Sequence, residues 1–364
     1  GEIYAPLKGL RYRFNFGPDF RYYRNGTFRN EESISSEGKN RASLSNQSDF
    51  SWTLDNLIYY DKEFGKHSVG LTLLQSATGY HYEESSMAAE GIPLESAKWN
   101  ALSKENVSLL DEWNSGLIEK QLLSYMFRVN YDYNNKYLLT VSGRWDGASQ
   151  LAEGNKWAFF PSAALGWRLD QEEFLKDVTW LNQLKFRLGV GVTGNSAIDP
   201  YQTKGAIVSL YYPFGSALAP GYAASEPLIK DGAVAMANKN LSWEKTTQYN
   251  IGLDYSVLNG RISGVLDFYT SRTTDLLMAM TIPSLNGYTN TYANVGKTSN
   301  IGVDITLNTV NVKTRDFEWS TSINAAWQKD KIDELANGKE DDINNNWFIG
   351  QALGVISGVD DRAL

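Results

Sequence analysis

One pattern recurs along this chain that few folds can use: apolar side chains at every second position over long runs, with no charge among them. In LLSYMFRVNYDY (122–133), Leu123, Tyr125, Phe127, Val129, Tyr131 and Tyr133 share one face; Ser124, Met126, Arg128, Asn130 and Asp132 share the other. YLLTVSGRWD (137–146), QYNIGLDYSV (248–257), SNIGVDITLN (299–308) and FEWSTSINAAW (317–327) alternate in the same way. A period of two is the signature of a β-strand. Soluble strands average about 5–6 residues, whereas a tilted strand that crosses a bilayer needs about 9–11. The runs at 121–133, 137–146, 249–257 and 317–327 belong to the longer class.

Further alternating runs at 11–16, 49–60, 67–80, 159–169, 184–192 and 261–269 bring the expected total to about a dozen strands. Asn134-Asn135-Lys136 between two runs predicts a tight hairpin. Long loops are expected near 85–116 and 213–243, and a short helix near 170–182, where Asp170 would open the helix with Glu172 and Glu173 in its first turn.

Two architectures turn such strands to use. A secreted β-sandwich or propeller hides the apolar face inside; a membrane barrel turns it to lipid and keeps the polar face for a hydrated lumen. Tyr59, Tyr60, Tyr131, Tyr133, Tyr137, Trp145, Trp157, Trp167, Phe268, Tyr269, Trp319 and Trp327 lie near strand ends, as the aromatic girdles of a barrel require. Charges on the long strands fall on the polar face, at Arg128, Asp132, Arg144, Asp254 and Asp304. The chain has no run of about 18 apolar residues for a membrane helix, which leaves a barrel open because a closed sheet also satisfies its backbone in lipid.

Composition removes other functions. The net charge of −8, without a basic cluster, argues against nucleic acid. Absence of cysteine removes disulfides and thiolate chemistry, and His67 and His81 alone offer little to a metal centre or a catalytic triad. No catalytic residue, metal or cofactor is expected. GVGVTG (189–194) satisfies a dinucleotide fingerprint but runs into NSAIDP, a turn where a helix should open. Asp342, Asn344 and Asn346 have the first spacings of a calcium loop, without its glycine or final glutamate, so a solvated loop is expected. Glu83 and Glu84 point to opposite faces of a strand and so cannot pair as acid and base; Glu172 and Glu173 suit a helix start.

Several ordered motifs carry a resemblance. The stretch 122–177 runs through YLLTV, GRWDGAS, FFPSAALGWR and DQEEFLKD; LKFRLGVGVTGNSAIDPY follows at 184–201, then NKNLSWEKTTQYNIGLDY, RISGVLDFYTSRTTDLL and NVGKTSNIGVDI. Over roughly residues 118–356 the chain resembles the SusC/RagA-type TonB-dependent outer-membrane transporters. The resemblance implies an all-β, antiparallel transmembrane barrel of about 22 strands with a plug, of which residues 1–364 would form about half. The plug, the TonB-contacting segment and the last strands would lie outside this chain, which reads as part of a longer protein.

The same resemblance implies import of an oligosaccharide, or a peptide, across the bacterial outer membrane. The partners implied are a SusD-like surface lipoprotein and the TonB–ExbB–ExbD machinery. A siderophore or vitamin receptor shares the barrel and is the alternative within transport; a secreted carbohydrate-binding β-protein is the alternative outside it. Arg144 and Asp146, beside Gly147, are expected to close a turn and neutralise each other. Substrate contact is expected, if anywhere, at the loop aromatics Trp99, Trp113 and Tyr222 and at the lumen charges Arg144, Asp254 and Asp304.

Overall fold

The computed structural model describes the chain apart from residues 5, 35–37, 93–94, 104–108, 205–207, 215–216, 224–234, 284–289 and 355–364, and apart from the side chains of 109–112, 208–214, 217–223, 235, 290 and 344. Its strands are β1 (Glu2–Tyr4), β2 (Leu10–Arg29), β3 (Arg41–Phe64), β4 (His67–Glu90), β5 (Leu109–Tyr133), β6 (Tyr137–Ala148), β7 (Trp157–Arg168), β8 (Leu181–Asn195), β9 (Val208–Phe214), β10 (Ala217–Ala223), β11 (Ala235–Met236), β12 (Glu244–Val257), β13 (Ile262–Thr274), β14 (Leu277–Thr281), β15 (Asn290–Asn294), β16 (Lys297–Lys313) and β17 (Glu318–Glu334). Twelve of them form one sheet in the order β1-β2-β3-β4-β5-β6-β7-β8-β12-β13-β16-β17; β9–β10 and β11-β15-β14 form two small sheets. Neighbours in the large sheet follow chain order once the small sheets are set aside, the signature of an up-and-down antiparallel meander.

The chain divides into two compact units, one of Gly1, Phe14–Asn56 and Ser76–Leu123, the other of the remaining residues. In the second unit the hairpin turns lie at one end of the strands, together with the 169–180 connection. Asn134 and Asn135 both take φ near +55°, at 57° and 52°, as the first two residues of the expected hairpin turn, and the Lys136 amide donates to the Tyr133 carbonyl at 3.0 Å. Leu258, Asn259 and Gly260 close the β12–β13 turn with positive φ in the same way. At the opposite end of these strands the connections 149–156, 196–243 and 275–296 are long.

Three expectations need correction. The stretch 85–116 is not one loop, because β4 extends to Glu90 and β5 begins at Leu109, leaving 91–108 with a 3-10 turn at Glu95–Asn100. In 85–90 Ser85 and Ser86, then Ala88 and Ala89, put like residues on both faces, so the alternation that marks a strand elsewhere is lost. Nor is 170–182 a helix: two 3-10 turns, Leu169–Gln171 and Glu173–Leu175, precede β8. Glu172 between them is extended (φ −79°, ψ 145°). Its carboxylate explains why, since it accepts from Tyr137 Oη (2.8 Å), Trp167 Nε1 (2.9 Å) and Lys136 Nζ (2.5 Å), ties that a continuous helix would break. The stretch 213–243 likewise contains β10, β11 and the end of β9.

The hydrogen bond from Lys136, with that from Trp167, holds the Glu172 carboxyl below the ordinary glutamate range. A depressed carboxyl contributes stability above its ordinary pKa and loses it as pH falls through the lowered value. The wild-type barrel is therefore expected to lose thermal stability on acidification below the glutamate range. Glu172→Gln should lower the pH 7 midpoint and flatten that acid loss, a comparison that thermal melts at pH 7 and pH 3 make directly.

The second unit also carries a small apolar core where β6, β7, β8 and β12 meet their long connections. Ala148, Leu151, Ala152, Phe160, Ile198, Leu241 and Trp243 are all buried there. The Trp243 indole donates to the Lys156 carbonyl at 2.8 Å, and its ring meets Phe160 edge-on at 5.3 Å. Phe160 lies on Gly194, where an added Cβ would stand 2.1 Å from the ring Cζ. Gly194→Ala should thus cost about 1–3 kcal/mol as overpacking, read as a lower unfolding midpoint in detergent.

Candidate functional site

Register makes the two faces of the second unit legible. One apolar row runs Leu139, Leu165, Leu188, Ile251, Phe268, Val303, Trp327 across seven strands, each member directly opposite the next. A parallel row runs Tyr137, Trp167, Phe186, Leu253, Leu266, Ile305, Ala325. Most of these side chains are exposed, as are Trp145, Trp157, Phe159 and Trp319 beyond them. A soluble protein rarely shows so broad an apolar surface; a sheet facing lipid must. Ile301 and Ile305 are exposed on this face, as expected.

The opposite face carries Ser, Thr, Asn, Gly and charge. Ser142 Oγ and Ser162 Oγ are hydrogen-bonded at 2.7 Å, and Thr140 Oγ1 donates to Asn130 at 2.9 Å. Its main electrostatic feature is Arg187 on β8. The guanidinium donates through Nε to Asp254 Oδ1 (2.9 Å) on β12 and through Nη2 to Asp267 Oδ2 (3.1 Å) on β13. To reach both it crosses Gly252, where an added Cβ would lie 2.6 Å from Arg187 Cζ and 2.5 Å from Asp267 Oδ1. The guanidinium is thus shared by two carboxylates, and Asp304 on β16 stands directly opposite Asp267, one strand further from the arginine. Such an arrangement can fix the wall and present hydrogen-bond acceptors; among the described residues no group of His, Cys, Asp and Glu is placed to hold a metal ion.

The expected contact residues separate into different places. Asp254 pairs with Arg187, whereas Asp304 lies one strand beyond Asp267. Arg144 lies elsewhere on β6, where Nε grips Asp146 at 2.7 and 2.9 Å and Nη2 donates to Ser124 at 2.8 Å. The pair sits two apart on one strand face, so it closes no turn. Trp99 packs its loop: its ring covers Gly26, and an added Cβ there would stand 2.3 Å from the indole. Trp113 is 80% exposed, beside a cavity of about 690 Å³ lined by Ser85, Met87, Leu102, Asn114 and Ser115. The side chain of Tyr222 lies outside the described residues.

The other motifs resolve structurally. GVGVTG lies wholly inside β8. Asp342 accepts from the amide and Nδ2 of Asn345, at 3.2 and 2.8 Å, so its carboxylate caps a turn; the Asn344 side chain lies outside the described residues. Glu83 accepts or shares a proton with His81 Nε2 at 3.1 Å while Glu84 accepts from Tyr82 at 2.6 Å, on opposite faces of β4. Arg187 and Asp267 are absent from the expected contact residues, because only the strand register brings them together.

Comparison with known proteins gives the same architecture. The family model described as "TonB dependent receptor-like, beta-barrel" matches residues 5–356. The chain is 34% identical to the TonB-dependent receptor SusC of Bacteroides thetaiotaomicron, over 91% of this chain and 33% of that protein. It is 32% identical to a TonB-dependent receptor of Formosa agariphila, over 98% of this chain and 36% of that protein. The chain therefore spans about a third of the length of these curated relatives. Among solved structures, a chain of the RagAB peptide transporter superposes with a TM-score of 0.83 at 25% identity, covering 95% of this chain and 38% of that one. The ferric citrate transporter FecA shares the fold, with a TM-score of 0.53 at 9% identity, covering 96% of this chain and 43% of that one. Long strands with a lipid face, a hydrated face and this kinship leave one assignment: the chain belongs to the TonB-dependent receptor-like β-barrel family of the outer membrane and is similar to its SusC and RagA members.

Proposed function

We infer that this barrel wall serves the TonB-dependent import of an oligosaccharide. The supporting observation is the hydrated face, which carries hydroxyls, amides and carboxylates; sugars are recognised by such convergent polar groups. The tight turns face the periplasm and the long connections the exterior, the usual polarity of these barrels. A surface lipoprotein of the SusD type would close over the long connections, and the TonB–ExbB–ExbD machinery would act from the other side through segments beyond this chain. Likeness to SusC and to RagAB supports that partnership. A second reading, peptide cargo, is favoured by the superposition on the RagAB peptide transporter.

Deleting the gene for the whole receptor tests the reading. Expected is loss of growth on one oligosaccharide as sole carbon source, with growth on its monosaccharides and under iron limitation unchanged. Failure only under iron limitation would assign a siderophore cargo instead, and failure only on oligopeptides a peptide cargo.

A further inference from the structure

The first unit holds a second polar constellation, distinct from the Arg187 neighbourhood. Tyr80 and Tyr82 stand two apart on β4 and so share a face, about 7 Å apart along the strand. Each phenol is tethered by a carboxylate: Tyr80 Oη donates to Asp49 Oδ1 on β3 at 2.7 Å, and Tyr82 Oη to Glu84 Oε2 at 2.6 Å. Lys120 on β5 sets its ammonium 4.8 Å from the centre of the Tyr80 ring. Arg21, paired with Asp19 at 2.9 Å, lies within electrostatic reach of Tyr80. Asp55 accepts from Ser76 at 2.6 Å on the same face, and Gly116 leaves Glu84 uncovered, since an added Cβ would stand 3.0 Å from Oε1. The other face of β4 carries His81, held by Glu83 and Glu119 at 3.1 and 3.0 Å. Both faces being polar, this part of the sheet lies in water, and its tyrosines serve no lipid girdle.

We propose that Tyr80 and Tyr82, with Asp49, Glu84 and Lys120, form a subsite for a neutral oligosaccharide, a reading that rests on the import function above. Two tethered rings offer rigid apolar platforms for the C–H faces of sugar rings. A carboxylate has about four lone-pair positions, and each tyrosine occupies one, so Asp49 and Glu84 keep acceptors for sugar hydroxyls. Four carboxylates (Asp19, Asp49, Asp55 and Glu84) against two cations (Arg21 and Lys120) make the surface net acidic, which repels a polyanionic glycan.

The test uses the full-length receptor in detergent, titrated calorimetrically with neutral gluco-, xylo- and manno-oligosaccharides, with oligogalacturonate, and with a mixed oligopeptide pool. Expected is binding of a neutral oligosaccharide, at least about tenfold tighter than oligogalacturonate, and at least about tenfold weakened in the Tyr80→Ala/Tyr82→Ala double variant. Glu83→Gln, on the other face, should leave the affinity unchanged. Glu84→Lys should admit oligogalacturonate, a gain that misfolding cannot mimic. Neutral binding that ignores the tyrosine and Glu84 variants would overturn the subsite and leave oligosaccharide import standing. Binding of peptides with no glycan bound would overturn both, and tighter binding of oligogalacturonate would overturn the charge argument with the subsite.

Discussion

An arginine in place of Leu188 is expected to destabilise the inserted barrel by about 2–4 kcal/mol, the cost of a cation near the bilayer midplane, and to deplete the receptor from the outer membrane. Leu188 lies midway along the outward positions of β8, between Leu165 on one side and Ile251 on the other. Phe186 and Val190 flank it along β8 on the same outward face, so its nearest neighbours toward either end of the strand are apolar as well. Beyond Trp327 the outward positions of β17 turn to Lys329 and Lys331, which places the boundary of the apolar band along that strand. Asn250→Arg is the control. It changes the position directly before Ile251, on the hydrated face, and should stay within about 1 kcal/mol. Urea unfolding from phospholipid vesicles reads the two energies, and outer-membrane abundance reads their consequence. Equal losses for both variants would mean that the faces have been assigned wrongly.

That assignment was largely legible in the sequence, for a physical reason. Lipid and water impose opposite chemistry on alternate residues, so Leu123 to Tyr133 or Tyr249 to Val257 announce their faces without any knowledge of partners. Where the strands leave lipid the contrast disappears. Residues 85–90 then read as loop because Ser85 and Ser86, and Ala88 and Ala89, give both sides the same character. Residues 170–182 misled in the opposite sense: Asp170, Glu172 and Glu173 look like a helix start, but the carboxylate of Glu172 is spent on Tyr137, Trp167 and Lys136. The hydrated face was legible only as isolated charges. Asp254 and Asp304 stood out as acids interrupting apolar alternation, whereas the cation that pairs with Asp254 did not. Arg187 and Asp267 are 80 residues apart, and only the registers of β8 on β12 and β12 on β13 bring them together. Trp99 and Trp113 were indistinguishable as loop aromatics until packing placed one on Gly26 and left the other in the open.

Removing that cation should be the most damaging change on the hydrated face. Arg187→Ala leaves Asp254 and Asp267 without their shared partner, with Asp304 directly across from Asp267. Breaking a fully buried pair from one side costs about 3–5 kcal/mol. The side chains here keep 22–29% of their exposure, so water recovers part of that and about 2–3 kcal/mol is expected. Three further variants separate charge from shape. Arg187→Lys keeps the charge but lacks the planar fork that reaches two carboxylates at once, so it should restore only part of the loss. Asp267→Asn in the Arg187→Ala background removes one stranded charge and should also recover stability, a coupling that a merely steric role for the arginine would not produce. Gly252→Ala attacks the same contact without touching a charged residue, because its Cβ would wedge between the Arg187 guanidinium and Asp267. If Gly252→Ala and Arg187→Ala each destabilise but their combination costs no more than the worse of the two, both act through one bridge. Additive losses would mean that the glycine is needed for another reason and that the bridge carries less of the wall than its geometry implies.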